Sequence, residues 1–352
     1  MTTPQDRAKP YQAGDILQHQ VQAMKYCYLG TNKLKLSAIG YGCPPFVGQL
    51  NATDENASID VILRAIELGI TYIDTADHNA GNNEEILAKA LKGRRDEVVL
   101  SSKFGNLRGQ PWAAGRLVDG RPEYVAQACE ASLRRLGTDF IDLYYLHRID
   151  PEVPVEDTVG AMRQLVEQGK ILHIGLSEAG PDSIRRANDT YPITAVQSEY
   201  SLWTRDYEVD TLPVVQELGI GFVPYYPLGR GFFTGSAKPS SKMDANDTRR
   251  NLPRFSDANL PHNLRLLNQL KEIANNKGCT TGQIALAWIL HQGDDRVPIP
   301  GTKQLQHVTE NATATELELT KEELDHIDAL FPQSGRVAGA RFDRDRSREL
   351  NI

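Results

Sequence analysis

Four polar residues stand where short apolar runs end. Asp74 follows Tyr72-Ile73, Lys103 follows Leu100-Ser101-Ser102, His147 follows Tyr144-Tyr145-Leu146, and Gln197 follows Ala195-Val196. An acid, an ammonium group and an imidazole gathered in one place suit the polarisation of a carbonyl. The ammonium stabilises charge on oxygen, the carboxylate holds the ammonium, and the imidazole orients the substrate. Taken singly, each of these residues reads equally well as a hydrogen-bonded strand end or a solvated side chain. The inference rests on the set, and on a fold that carries all four to one rim.

Such a fold is legible in the periodicity. Thr71 to Asp74, Val98 to Lys103, Ile141 to Leu146, Ile171 to Leu176, Ile193 to Val196 and Ile220 to Tyr225 read as strands. Ile59 to Leu68, Tyr124 to Leu136, Val155 to Glu167 and Leu212 to Leu218 repeat apolar residues at helical spacing. With Ser37 to Cys43 before the series and Val297 to Pro300 after it, the strands number eight, enough to close a parallel (β/α)8 barrel. A doubly wound open sheet is the competing architecture. It calls for a Gly-x-Gly-x-x-Gly turn after the first strand, whereas Gly40-Tyr41-Gly42-Cys43-Pro44-Pro45 cannot open a helix. Tyr26 to Leu29 and Leu34 to Leu36, around Gly30-Thr31-Asn32-Lys33, predict a hairpin plugging the barrel bottom. Thr320-Lys321-Glu322-Glu323 predicts a capping box ahead of a late extra helix that Pro332 stops.

The expected organisation is a flexible extension over residues 1–24, a barrel over 25–331 and a tail over 332–352. Gly229 to Pro261, after the seventh strand, reads as a loop at the mouth. The tail mixes Arg336, Arg341, Arg344, Arg346 and Arg348 with Asp343, Asp345 and Glu349, the pattern of solvated chain; a flap over the mouth is the minority alternative.

Composition narrows the partners. The 352 residues are 40% hydrophobic, enough for a large core, and 39 Lys and Arg against 46 Asp and Glu leave a net charge of −7. That balance argues against nucleic acid and anionic membrane surfaces. The longest apolar stretch, Ile284 to Leu290, falls far short of the roughly 20 residues that span a bilayer. Met1 to Gln22 is polar and lacks a secretory apolar region, so a cytoplasmic location is expected. Cys27, Cys43, Cys129 and Cys279 are widely spaced, which suits reduced thiols better than disulfides or a metal site. Nothing in the pattern marks an oligomeric state.

Asp74-Thr75-Ala76-Asp77, Asn83-Glu84-Glu85, Lys103-Phe104-Gly105 and Leu143-Tyr144-Tyr145-Leu146-His147-Arg148 resemble successive signatures of the aldo-keto reductases. Ile174-Gly175-Leu176-Ser177-Glu178, Gln197-Ser198-Glu199-Tyr200, Pro227-Leu228-Gly229-Arg230-Gly231 and Ile299-Pro300-Gly301-Thr302-Lys303 continue the likeness in the family's order, from Tyr26 to Leu330. The resemblance implies an NADP(H)-dependent oxidoreductase acting on a small carbonyl or alcohol, with the cofactor extended across the barrel mouth. It implies Ser177 and Gln197 on the carboxamide, and Tyr225 stacked on the nicotinamide. Gly42, Cys43, Asp74, Glu178 and Tyr226 are implied as further cofactor contacts, and Pro227, Leu228, Gly229, Arg230 and Gly231 as backbone near the pyrophosphate. Gly301, Thr302, Lys303, His307, Glu310 and Asn311 would surround the adenosine end. Lys303 pairing with a 2′-phosphate favours NADP over NAD. Trp112, Tyr144, Trp203, Phe232 and Phe233 are candidate pocket walls, although aromatics more often pack in cores.

One family feature is missing. Members place a tyrosine five residues after the catalytic aspartate as proton donor; here that position is Asn79, in Asp77-His78-Asn79-Ala80-Gly81. An amide is no useful acid near neutral pH, and loss of a general acid costs about 10²–10⁴ in rate. Three readings follow. His78, His147 or Lys103 supplies the proton in place of tyrosine, with oxidation of a sugar-like alcohol as a natural variant. Alternatively the chain is an NADP(H)-binding, redox-sensing or partner-binding subunit with little turnover. Or Asn79 is an engineered change from a tyrosine-bearing parent. The intact lysine and histidine favour the first.

Overall fold

The computed structural model describes residues 24–45, 54–77, 81–108, 113 and 116–342. His78, Asn79, Trp112, residues 1–23 of the expected extension and the tail from residue 343 lie outside them. Seven parallel strands follow one another around the sheet in chain order: β3 (Tyr41–Gly42), β4 (Tyr72–Asp74), β5 (Val99–Phe104), β6 (Ile141–Leu146), β7 (Ile171–Ser177), β8 (Ala195–Glu199) and β9 (Gly221–Tyr225). An antiparallel hairpin of β1 (Tyr26–Leu29) and β2 (Leu34–Ser37) precedes them. Strands covered by helices on one side and filled by side chains on the other run nearly continuously apolar, and β6, Ile-Asp-Leu-Tyr-Tyr-Leu, is buried at every position but Asp142.

The eighth stave is present without being a strand. Val297 N–H donates to Phe222 O at 3.0 Å, Ile299 N–H to Pro224 O at 3.0 Å, and Gly40 N–H to Pro298 O at 2.9 Å. Val297 to Pro300 therefore joins β9 to the chain just before β3 and closes the barrel, through isolated parallel bridges such as Tyr225 to Ile299. Pro298 and Pro300 have no N–H to donate, so the expected ladder stops at single bridges. The expected first strand, Ser37 to Cys43, is likewise divided, because Ala38 N–H turns back to Lys25 O while Tyr41–Gly42 alone pairs with β4.

The interior is filled by Tyr72, Leu143, Tyr145, Ala195, Val223, Val297 and Ile299. The hairpin seals one end as expected, since Leu29 and Leu36 are fully buried in that same cluster. A Cβ on Gly221 would lie 2.6 Å from that of Leu29, so the plug fits only against glycine. Outside the barrel, the helix Val155–Glu167 matches its predicted limits, and Glu55–Glu67, Pro122–Leu136 and Thr211–Glu217 begin one to four residues earlier than periodicity indicates. The capping box of Thr320 and Glu323 opens the helix Lys321–Leu330. Further helices, Asn82–Ala90, Pro181–Thr190, Leu260–Lys277, Thr281–Leu290 and Leu305–Thr313, were not foreseen. Gly229 to Pro261 is a chain of short 3₁₀ turns rather than open loop, and Pro261 already belongs to the helix Leu260–Lys277.

Candidate active site

Parallel register sets the site. Asp74 pairs with Ser101 across β4 and β5, Lys103 lies two residues further along β5, and Ser177 pairs with Gln197 across β7 and β8. Residues two apart on a strand share a face, so Ser101 and Lys103 both reach Asp74. Lys103 Nζ lies 2.5 Å from Asp74 Oδ2 and donates to Thr75 O at 2.8 Å. Ser101 Oγ donates to Asp74 Oδ1 at 2.7 Å, and Gln197 Nε2 to the same oxygen at 3.0 Å. The Lys103 and Asp74 side chains are 6% and 7% exposed, dry enough for their charges to act strongly on a nearby carbonyl.

His147 is the residue after β6, 8% exposed, its N–H bonded to Phe104 O. Arg148, quoted only as part of a motif, donates to His147 O at 2.5 Å and to Ser177 Oγ at 3.2 Å. Of the four residues expected to converge, Lys103 and Gln197 bond directly to Asp74, and His147 stands at the end of β6 beside the end of β5 that carries Lys103. Tyr72 and Tyr145 do not replace the absent tyrosine. Their hydroxyls, 3.1 Å apart, are buried inside the barrel, and burial pushes both well above the usual phenol range.

The residues tied by resemblance to a cofactor line the same rim. Among the described non-glycine residues, Glu178, Tyr226 and Arg230 have left-handed backbones, at φ +56°, +48° and +57°. Only Lys33, in the hairpin turn, shares that conformation. Such strain gathers where a site needs it. Arg230 covers the half-exposed Tyr226 ring at 4.1 Å and donates to Glu199 Oε2 at 2.6 Å. Arg249, unforeseen, reaches Arg230 O at 3.1 Å and so joins the Pro227 to Gly231 stretch, with Leu228 and Gly229 between. Trp203 Nε1 is buried without a hydrogen-bond partner, and a Cβ on Gly229 would fall 2.8 Å from it.

Opposite, a Cβ on Gly301 would meet Gly42 O at 2.6 Å, and one on Gly42 would meet Ile299 O at 2.7 Å, so bare backbone faces backbone where the barrel closes beside Cys43. Tyr41 Oη donates to Thr302 O at 2.7 Å, and Thr302 Oγ1 lies 3.4 Å from His307 Nδ1. Lys303 precedes the helix Leu305–Thr313, whose N-terminal end has no side-chain cap and favours an anion through its dipole. On that helix Glu310 accepts from Thr280 Oγ1 at 2.5 Å, and Asn311 is buried.

Two expectations need correction. Trp203, Phe232 and Phe233 are core rather than pocket wall: Trp203 stacks on Phe232 at 4.1 Å, and Phe233 packs edge-on against Phe331. Tyr144 is likewise fully buried, stacked on Phe104 at 5.0 Å. Nor is the described part of the tail simply solvated. Residues 333–336 are exposed, but the Arg341 side chain is 8% exposed and Phe342 is buried. Arg341 Nη2 donates to Glu178 Oε1 at 2.7 Å and to Tyr225 Oη at 3.0 Å. Both Glu178 oxygens are engaged, Oε2 by Tyr207 Oη at 2.6 Å, so a cofactor contact from Glu178 falls to its backbone.

Comparison with known proteins agrees with this arrangement. The sequence profile of the Aldo/keto reductase family matches residues 38–331. "Probable aldo-keto reductase 1" of Glycine max is 44% identical over 331 residues, covering 93% of each chain. An aldo-keto reductase from Klebsiella pneumoniae solved in complex with NADPH is 31% identical, covers 92% of this chain and 99% of its own, and superposes with a TM-score of 0.71. The glycerol dehydrogenase of Gluconobacter oxydans, 25% identical, covers 89% and 98% with a TM-score of 0.80. By its matched profile, its plant relative and its closed barrel, the chain belongs to the aldo-keto reductase family.

Proposed function

We propose that this chain is an NADP(H)-dependent oxidoreductase that moves a hydride between the nicotinamide and the carbon of a small carbonyl or alcohol. The observation that carries this reading is the buried Lys103–Asp74 pair, set at one rim with His147, Ser177, Gln197 and Tyr225. The residues present fit the cofactor. Left-handed backbone at Glu178, Tyr226 and Arg230 shapes the rim beside Ser177, Gln197 and Tyr225, where a cofactor would lie. Lys303 at a helix N-terminus matches an anionic end. The Klebsiella neighbour's complex with NADPH supports the same choice.

When bound, the nicotinamide supplies or accepts the hydride. Ser177, with Arg148 on its hydroxyl, and Gln197 orient the carboxamide, while Tyr225 presents a ring for stacking. Lys103 carries three N–H groups, of which two are committed to Asp74 and Thr75 O. The third is left for a substrate oxygen. In reduction it stabilises the charge that grows as the C=O π bond opens, and it gives the proton that the absent tyrosine would give. His147 fixes the direction from which that oxygen approaches.

Titration with NADPH, followed by turnover over aldehydes, ketones and polyols, tests the reading in the native chain and in Lys103→Met. Native binding of NADPH is expected, with turnover falling by about 10² or more in Lys103→Met and affinity changing only a few-fold. A native chain that binds no NADPH, or a variant that turns over as well as the parent, refutes it.

A further inference from the structure

Arg341 is separated from its partners by more than a hundred residues and reaches three strand ends at once. Its Nη2 serves Glu178 Oε1 at 2.7 Å and Tyr225 Oη at 3.0 Å, and its Nε lies 3.1 Å from Glu199 Oε2. Glu178 directly follows β7, which ends on Ser177. Glu199 ends β8, two residues beyond Gln197, and Tyr225 ends β9. These are the strands that carry the three groups assigned to the nicotinamide half.

Charge favours the contact strongly. Glu178 is fully buried, and among the described residues Arg341 is the only cation paired with it, whereas Glu199 also has Arg230. A buried carboxylate stripped of its partner is strongly destabilised. Burial alone would raise the Glu178 carboxyl, yet Arg341 and Arg148 hold it down at about 2. The ionised Glu178 then accepts Glu199 N–H at 2.8 Å and ties the ends of β7 and β8 together.

We propose that Arg341 is a positioning residue for the nicotinamide half of the cofactor, locking the rim of β7, β8 and β9 and holding Tyr225 by its hydroxyl in the stacking orientation. This rests on the NADP(H) reading above. It makes the end of the chain part of the cofactor site without requiring it to touch the cofactor.

The test uses the full chain and two probes: NADPH, and 2′,5′-ADP, which carries the adenosine end without the nicotinamide. Arg341→Gln is expected to weaken NADPH by about ten-fold or more, the scale of a lost charged hydrogen bond, while 2′,5′-ADP stays within about two-fold. Arg341→Lys should recover part of the loss by restoring the charge. Tyr225→Phe, which deletes only the oxygen Arg341 holds, should reproduce part of it and keeps the proposal testable if Arg341→Gln folds poorly. Equal weakening of both probes in Arg341→Gln, or native NADPH affinity in that variant or in Tyr225→Phe, overturns the proposal. A native chain that binds neither probe overturns the cofactor reading itself, a different result.

Discussion

Asp77, three residues after Asp74 and directly before His78, should govern how stability varies with pH. Its carboxyl is 8% exposed and has Glu84 as a charged neighbour. Arg135 opposes the rise, but its Nε is spent on Glu84 Oε2 at 2.7 Å, while Ser102 Oγ donates to the other Glu84 oxygen at 2.6 Å. Burial first and Glu84 second push Asp77 up to about 8 from an ordinary 3.8. The folded chain therefore keeps a proton that the unfolded chain releases above pH 3.8. Stability from this group is greatest below that value, falls by about 1.4 kcal/mol per pH unit as the pH rises towards 8, and is flat beyond. From pH 5 to pH 7 the loss is about 3 kcal/mol. A chain of this length unfolds with an entropy of about 0.7 kcal/mol/K, so that loss corresponds to about 4 °C in Tm. Asp77→Asn has no proton to lose. Thermal melts of both proteins at pH 5, 6 and 7 and constant ionic strength should show the variant gaining about 4 °C on the parent across the range. A difference that stays constant with pH would mean that Asp77 is ionised in the folded state, and the argument from burial beside Glu84 would fail.

Two further outcomes test the site from other sides. Asn79→Tyr restores the family's proton donor, and carbonyl reduction measured by NADPH consumption should rise by about 10² or more; unchanged or lower turnover would show that position 79 is not the acid's place and direct attention to His78 and His147. Gly301→Ala puts a Cβ 2.6 Å from Gly42 O at the barrel's closing seam. A loss of about 1–3 kcal/mol in denaturant unfolding is expected, with weaker NADPH binding, and native stability would show that the seam yields.

What could be read before the structure was local or enforced by the fold. Ile141–Leu146 and Val155–Glu167 match their expected limits because one is a short apolar run broken only by Asp142 and ended by His147 and the other a clean amphipathic stripe. The gathering of Asp74, Lys103, His147 and Gln197 was legible because parallel strands in a barrel bring their C-terminal ends to one rim, whatever lies between them in sequence. Thr281–Leu290 was missed as a helix for the opposite reason. Ile284 through Ile289 are all fully buried, so there is no polar face and no period to detect. Ser101, which anchors Asp74, was passed over as an ordinary strand residue, although its place two residues before Lys103 on the same face was a usable signal.

The tail was misread by a rule that is sound on average. A run mixing five arginines with acids looks solvated, and for residues 333–336 it is. Arg341 differs because of partners its own neighbourhood does not contain: Glu178 lies 163 residues away and Glu199 belongs to another strand. The clue lay in those partners. Two glutamates flanking the expected carboxamide ligands, at strand ends that the barrel buries, cannot stay charged without cations. The nearby sequence offers Arg148, whose guanidinium is bonded to His147 O and Ser177, and Arg230, which is bonded to Glu199. Those two arginines already match the two glutamates in charge, but neither is hydrogen-bonded to Glu178; the cation that is, Arg341, comes from the end of the chain, and only the folded structure identifies it.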